Sequence, residues 1–374
     1  MNMLLLCHDY QAPFLSVAQQ YAALFKDTPY RVITVFIKGV PDAQVAADCG
    51  AAEVIFLDQD ARAISGLKRK QIAQIKMLHK KYDFSFAIAH RYKALYIASH
   101  IKGLFCVGVS HIDGFADRLF RRIYLNIKRK NIALLGVSKA IRDDMRQRLP
   151  AWPPAQIQHL YNGLDYVKIR ENQLDKKEAR AKLKLPENDF LFVSVGRLHP
   201  DKDQATLISA FHQQQQHIPN AKLLIFGRGK LEQKLRAQIA ALGLADSVLL
   251  MGNVPELYRY LTAFDVFVLS SIREGMPVAL LEAFAAQLPC IASRCNGNSE
   301  AIENVGSSFA VGDSQALSLL LLQKYQESDD DRALMRIKLN QKITTYFAED
   351  AVRQVFWALP FMQPFCPPFE RDQP

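Results

Sequence analysis

Val266-Phe267-Val268-Leu269-Ser270-Ser271-Ile272-Arg273-Glu274-Gly275-Met276-Pro277-Val278-Ala279-Leu280-Leu281-Glu282-Ala283 holds a strand, a turn and the start of a helix in one continuous stretch. The short apolar run Val266–Leu269 suits a strand buried on both faces, because nothing in it alternates between apolar and polar. The chain then turns through Gly275, and Pro277 is well placed at the first position of a helix expected over Val278–Gln287. A strand feeding a helix is one β-α step of a parallel sheet. Ligands of such sheets bind outside the carboxyl ends of the strands, which is where Glu274 falls, with Glu282 about one turn into the helix.

Outward from this stretch the same alternation repeats. Upstream, strands are expected at Leu191–Val195, Lys222–Phe226 and Val248–Met251, with helices at Ala205–His212, Leu231–Leu242 and Glu256–Ala263; strand Cys290–Ala292 follows. The first half reads likewise. Its expected strands are Met3–Cys7, Val32–Phe36, Val54–Leu57, Phe84–Ala89, Phe105–Ser110 and Ala133–Val137, and its helices Val17–Phe25, Ala43–Cys49, Ile64–Lys80 and Lys139–Arg148. Between Pro150 and Pro186 the pattern loosens into a Pro-rich, then charged stretch that reads as an interdomain connection. The expected fold class is therefore α/β: two Rossmann-like domains at 1–165 and 166–345, with a ligand cleft between them. The tail, 346–374, carries the helical pattern Phe347, Val352, Val355, Phe356 before Pro360 and must pack somewhere.

At 374 residues, 49% hydrophobic and 22% charged, the chain has the balance of a globular protein long enough for two cores. No apolar run reaches the ~20 residues of a membrane span, and the first residues lack the pattern of a signal peptide. The six cysteines form no Cys-x-x-Cys pair, so a reducing cytoplasm is the expected home. The formal charge of +10 is uneven: residues 1–165 hold 23 Lys and Arg against 13 Asp and Glu, while the remainder is balanced. A basic domain joined to a neutral one suggests that the first half faces an anionic surface.

Carboxylates suit hydroxyl-rich ligands because one carboxylate accepts from two neighbouring hydroxyls. Glu274 and Glu282 fit that role, and as acids near a helix start they also fit the macrodipole. A second cluster runs Gly196-Arg197-Leu198 to Asp201-Lys202-Asp203, just before a helix. A glycine at a strand end followed by two cations makes a diphosphate cradle, with Arg197 forking onto phosphate oxygens and Lys202 meeting the charge on a leaving group; solvated surface cations would look the same. Gly227-Arg228-Gly229 is a common turn, and the backbone of Gly252-Asn253-Val254 could meet a nucleobase. Neither half offers Gly-x-Gly-x-x-Gly between a strand and a helix, which weighs against a dinucleotide-dependent oxidoreductase.

In this order the residues resemble glycosyltransferase family 4, whose members have the GT-B fold with a C-terminal crossover helix, which implies that the tail 346–374 returns to the N-terminal domain. The resemblance runs from Gly196-Arg197-Leu198 through Lys202-Asp203, Pro219-Asn220-Ala221, Gly227-Arg228-Gly229 and Gly252-Asn253-Val254 to Glu274 and Glu282, ending near Ile302. It implies a retaining, hexosyltransferase-type enzyme using a nucleotide-sugar donor, with UDP-, GDP- and dTDP-linked sugars all open. By the same resemblance Glu274 contacts the transferred sugar, Glu282 the ribose, Arg197 and Lys202 the diphosphate, Gly275, Met276 and Pro277 the donor sugar, and Asn253 and Val254 the base. In the first half, Val137-Ser138-Lys139, Asn162-Gly163-Leu164-Asp165 and His111-Ile112-Asp113-Gly114 resemble family segments, the last implying that His111 reaches the sugar from the acceptor side. Where many members carry a Gly-Gly loop after the first strand, this chain has His8-Asp9-Tyr10-Gln11-Ala12-Pro13.

No metal is expected. Asp58-Gln59-Asp60, Asp201-Lys202-Asp203 and Asp329-Asp330-Asp331 have metal-binding spacing but read as chance, the last as part of a charged loop. The resemblance implies front-face displacement, with the leaving diphosphate helping to deprotonate the acceptor. The expected acceptor is a glycan or glycolipid at the inner face of a bacterial cytoplasmic membrane, with phosphate-bearing lipopolysaccharide core first among surface polysaccharides. Nucleic acid is not an expected partner. The docking residues would be Arg118, Arg121, Arg122, Lys128, Arg129 and Lys130, interleaved with Leu119, Phe120, Ile123, Tyr124, Leu125 and Ile127, unless that apolar face is core. A second basic stretch runs from Lys68-Arg69-Lys70 through Lys76 to Lys80-Lys81. A sugar-nucleotide epimerase, or a non-catalytic basic module binding membrane or nucleic acid, is the competing reading.

Overall fold

The computed structural model describes residues 1–11, 14–60, 64 and 66–367. Its contacts divide the chain into Met1–Gly163 with Glu349–Pro374 as one unit and Leu164–Ala348 as the other. The divisions expected after 165 and 345 lie two residues after and three residues before the observed ones.

Unit 1 is a seven-stranded sheet: β1 (Asn2–Cys7), β2 (Arg31–Lys38), β3 (Glu53–Gln59), β4 (Phe84–His90), β5 (Phe105–Ser110), β6 (Ile132–Gly136) and β7 (Ile157–His159). The order is β3-β2-β1-β4-β5-β6-β7, and every pairing is parallel. Met3 to Leu6 at its centre are fully buried, as their unbroken apolar run requires. The helices are α1 (Phe14–Ala23), α2 (Ala43–Asp48), α3 (Arg69–Tyr82), α4 (Arg91–Ala98), α5 (Leu119–Lys128) and α6 (Lys139–Arg148). The helix expected from Ile64 begins only at Arg69. Gly66 and Lys68 both hold left-handed backbone, which cannot belong to a right-handed helix; Ala63 and Ser65 fall outside the described residues.

Unit 2 is a six-stranded parallel sheet: β8 (Phe190–Val195), β9 (Ala221–Phe226), β10 (Val248–Gly252), β11 (Val266–Leu269), β12 (Cys290–Ser293) and β13 (Ser307–Phe309), in the order β10-β9-β8-β11-β12-β13. Its helices are α7 (Tyr166–Glu171), α8 (Lys176–Lys182), α9 (Gln204–Gln214), α10 (Glu232–Ala241), α11 (Val278–Ala285), α12 (Asn296–Ile302), α13 (Ser314–Tyr325) and α14 (Asp329–Lys342). The expected helix Glu256–Ala263 is a 3-10 turn over Leu257–Ala263.

Two readings of irregular structure are corrected. The stretch read as a connection contains β7, α7 and α8. Asp165 and Asp175 cap the two helices, accepting from the amides of Lys168 (3.0 Å) and Glu178 (2.8 Å). Helix α8 is anchored by a charge: the buried Arg180 guanidinium donates to Ala263 O (2.8 Å) and to the Asp265 carboxylate (3.0 Å), an anchor that hydrophobic periodicity does not reveal. Asp329, Asp330 and Asp331 form the first turn of α14, not a loop. Ser328 caps that helix, and acids there complement its dipole.

The chain closes with α15 (Glu349–Ala358), which packs in unit 1. Trp357 Nε1 donates to Leu24 O at 3.0 Å, and Phe356 and Trp357 meet Phe25 edge-on. Residues 368–374 of the expected tail lie outside the described residues. Five of the six cysteines are buried and all are unpaired. Among the described residues no helix is long and apolar enough to cross a membrane.

Candidate active site

In unit 2 the sheet order reverses between β8 and β11, so the loops leaving them diverge and open a crevice at the carboxyl edge. Lys202 sits in a 3-10 turn, Pro200–Lys202, after β8, and Glu274 in the loop after β11. Their side chains form an ion pair through Glu274 Oε1. Ser271 Oγ donates to the same oxygen at 2.6 Å. Ser270 Oγ donates to the carbonyls of Lys202 (3.0 Å) and Asp203 (2.9 Å), and Ile272 N donates to Asp201 O (2.8 Å). The two loops are therefore laced together, and charged groups 72 residues apart meet with little freedom to move.

Backbone makes up much of this edge. A Cβ at Gly227, where φ is 132°, would stand 2.0 Å from Gly196 O, and one at Gly297 would stand 1.9 Å from Gly275 O; neither position admits a side chain. Gly196 in turn lies against the stem of Lys202. Arg197 is exposed, and its carbonyl accepts from Gln204 Nε2 at 3.0 Å. Asn253 is exposed and Val254 partly so; Gly227 N donates to Gly252 O at 2.8 Å, tying their loop to the one after β9.

Gly275, Met276 and Pro277 are buried. Pro277 caps α11 from outside instead of opening it, since its ψ of 106° is extended. Glu282 lies on α11, partly buried, and that burial pushes its carboxyl up to about 7. Sequence reasoning gave no role to Ser270, Ser271, Ser293 or Asn298. Asn298 Nδ2 donates to Ser293 Oγ (3.1 Å), and the Ser293 hydroxyl donates to Ser271 O, so a buried polar chain braces the Glu274 loop. Two serines directly after a strand were the available signal.

In unit 1, His111 follows β5, and its Nε2 shares a 2.8 Å hydrogen bond with Nδ1 of His90 at the end of β4. Burial, then Arg91, pushes His111 down to about 4; burial likewise holds His90 well below the usual range, so both rings are neutral near pH 7. On α5 the face that could have been core points outward: Leu119, Phe120, Ile123 and Ile127 are 60%, 84%, 47% and 73% exposed, while Leu125 is buried. At 3.6 residues per turn these four fall within ~100° of one another. Arg118, Arg129 and Lys130 are exposed, and Lys128 and Arg122 partly so. Arg121 is drawn inward, over the Tyr92 ring at 4.7 Å and donating to Phe115 O at 3.2 Å. Among the described residues no group of three His, Cys, Asp or Glu could hold a metal ion.

Residues 175–338 match the family model of the glycosyl transferases group 1. The UDP-Gal:alpha-D-GlcNAc-diphosphoundecaprenol alpha-1,3-galactosyltransferase of Escherichia coli is 30% identical over 278 residues, 70% of this chain and 71% of that one. The chain belongs to the group 1 glycosyltransferases. This family, glycosyltransferase family 4, is retaining and draws its sugar from a nucleotide-sugar donor. Solved structures similar in shape bear out the GT-B fold of this glycosyltransferase. A glycosyltransferase from Rickettsia africae superposes with a TM-score of 0.82 at 14% identity, covering 96% of this chain and 97% of that one. Anabaena HepE in complex with UDP-glucose superposes with a TM-score of 0.79 at 19% identity, covering 96% and 98%.

Proposed function

We propose that this glycosyltransferase holds the donor at the β8/β11 crevice and transfers its sugar to a lipid-linked glycan on an anionic membrane. One observation carries the donor assignment: Lys202 and Glu274, from different strand ends, are locked against each other at the crevice, with Ser271 fixing the carboxylate. A donor whose diphosphate takes Lys202 and whose sugar hydroxyls take Glu274 replaces that pair with matched contacts. Arg197 is the second cation on the diphosphate, Glu282 accepts from the ribose, and Asn253 and Val254 meet the base. Gly275, Met276 and Pro277 lie along the sugar. Lys202 and Arg197 then stabilise the charge that grows on the leaving diphosphate, the role a divalent cation plays in other transferases, so turnover survives EDTA. Thermal stabilisation by UDP-hexose, GDP-mannose and dTDP-deoxysugar tests the donor, since a ligand of the folded state alone raises its melting temperature. Stabilisation that persists in Lys202→Ala and Glu274→Ala would sink the assignment.

The outward apolar stripe of α5 supports a membrane-borne acceptor. Phe120 and Ile127 enter the headgroup layer while Arg118, Arg129 and Lys130 meet anionic lipid at about 1 kcal/mol each. The name of the Escherichia coli relative favours a polyprenyl diphosphate carrier over lipopolysaccharide core. Co-sedimentation with phosphatidylglycerol vesicles but not phosphatidylcholine vesicles is expected, lost in Phe120→Ser/Ile127→Ser and at high salt. Absence of the protein from both pellets would end the docking reading.

A further inference from the structure

Unit 1 has its own switch point, between β1 and β4, and the donor reading does not use it. A recess there is lined by His8, Asp9, Phe14, Val17, His90 and Arg91. Three cations gather around it. Arg91 opens α4 and lies 4.0 Å over the Phe14 ring, Lys93 follows two residues on, and Lys38 donates its amide to His8 O at 2.9 Å. Among the described residues the single acid lining the recess is Asp9.

Two features mark this as a place for an anion. His90 sits at the N-cap of α4, so the positive end of that helix's dipole lies at the recess. His90 is also 3% exposed, and with Nδ1 taken by His111 its buried Nε2 has no hydrogen-bond partner among the described residues, as is true of His8 Nδ1. Buried polar atoms at a recess edged with cations are costly unless a ligand satisfies them. Burial first, then Arg91, Lys93 and Lys38, pushes His8 down to about 4, which locates all three cations within electrostatic reach of this loop.

We propose that this recess binds the phosphate or diphosphate ester that the acceptor carries beside its sugar; the inference rests on the lipid-linked acceptor reading above. Arg91 and Lys93 supply the charge. His111 donates through Nε2 to His90 Nδ1, and neutral His90, with its own proton on Nε2, offers that proton to a phosphate oxygen. The bulky His8-Asp9 loop thus replaces a glycine backbone contact with side chains that read an anion.

The test is calorimetric titration of farnesyl diphosphate into the full chain saturated with UDP, with farnesol as the phosphate-free control. Farnesyl diphosphate is expected to bind and farnesol not. In Arg91→Gln/Lys93→Gln the affinity falls at least about tenfold, the scale of one lost charge-assisted contact, and Arg91→Lys recovers part of it. Competition by glucose 6-phosphate would locate the anion on a glycan, and its failure to compete on the lipid carrier. Unchanged farnesyl diphosphate affinity in the double variant overturns the proposal, as does a parallel loss of UDP affinity, which would give the recess to the donor. An unchanged melting temperature guards against misfolding. Arg91-dependent binding in a protein that transfers to no lipid-linked glycan would sink the acceptor reading and leave the anion site standing.

Discussion

The two switch points of this molecule share a topology and differ in material. At β8/β11 the edge is glycine backbone, with Gly196 against Gly227 and Gly275 against Gly297, and Lys202 and Glu274 there are already paired. At β1/β4 the edge is His8, Asp9, His90 and Arg91, where His8 Nδ1 and His90 Nε2 find no hydrogen-bond partner among the described residues. A backbone edge can bind only what its fixed N–H and C=O groups match. A side-chain edge changes its ligand with a single substitution. The difference accords with the family model matching residues 175–338, within unit 2, and with the proposal that unit 1 reads the acceptor.

The largest expected effect falls on the paired edge. Lys202→Ala and Glu274→Ala should each lower kcat about 10²–10³-fold, the cost of removing one charge-stabilising group, with KM for the acceptor nearly unchanged. Equal activity of the Lys202→Ala/Glu274→Ala protein, measured by transfer of labelled sugar, would break the comparison, since the backbone edge alone would then suffice.

How far the sequence was legible follows the same division. The strands of both sheets other than β7 and β13 could be read because parallel strands buried on two faces are continuous apolar runs, and Val266–Leu269 and Phe105–Ser110 fall where their residues predict. The Lys202–Glu274 meeting was legible only as two motifs with a common expected ligand; nothing in the spacing of residues 72 apart says that they touch. Helix α8 was hidden because Arg180, not an apolar face, anchors it. The His90–His111 pair was hidden because a histidine at a strand end carries no sign of which neighbouring strand end faces it.

A smaller effect should appear in pH profiles of donor binding. With the Glu282 carboxyl at about 7, its ionised fraction rises about tenfold between pH 6 and 8, and KM for the donor should fall by a similar factor over that interval. Glu282→Gln should flatten the profile. Stability runs the other way. The unfolded carboxyl releases its proton from about 4.5 upward while the folded one keeps it to about 7, so Glu282 costs stability as pH rises through that window. Glu282→Gln should therefore melt higher than the parent at pH 8 and at the same temperature near pH 4, by differential scanning calorimetry.

The smallest effect belongs to the side-chain edge and reads out in acid. His8 and His111 are held at about 4 and His90 well below its usual value, all mainly by burial, whereas unfolded histidine titrates near 6.5. Between about 6.5 and about 4 the unfolded chain takes up protons that the folded chain refuses, so stability is full above that window and declines as pH falls through it. Each kcal/mol lost lowers the melting temperature of a domain of this size by roughly 2–4 °C. Replacing His90 and His111 together with glutamine removes two of the three titrating rings and keeps their hydrogen-bonding capacity. The decline from pH 7 to 5 should then shrink by a few degrees, while melting at pH 8 shifts by a constant packing cost. An unchanged slope would mean that the pair is protonated in the folded state. His90 could then offer charge as well as a proton, and the side-chain edge would favour anions more strongly than neutral rings allow.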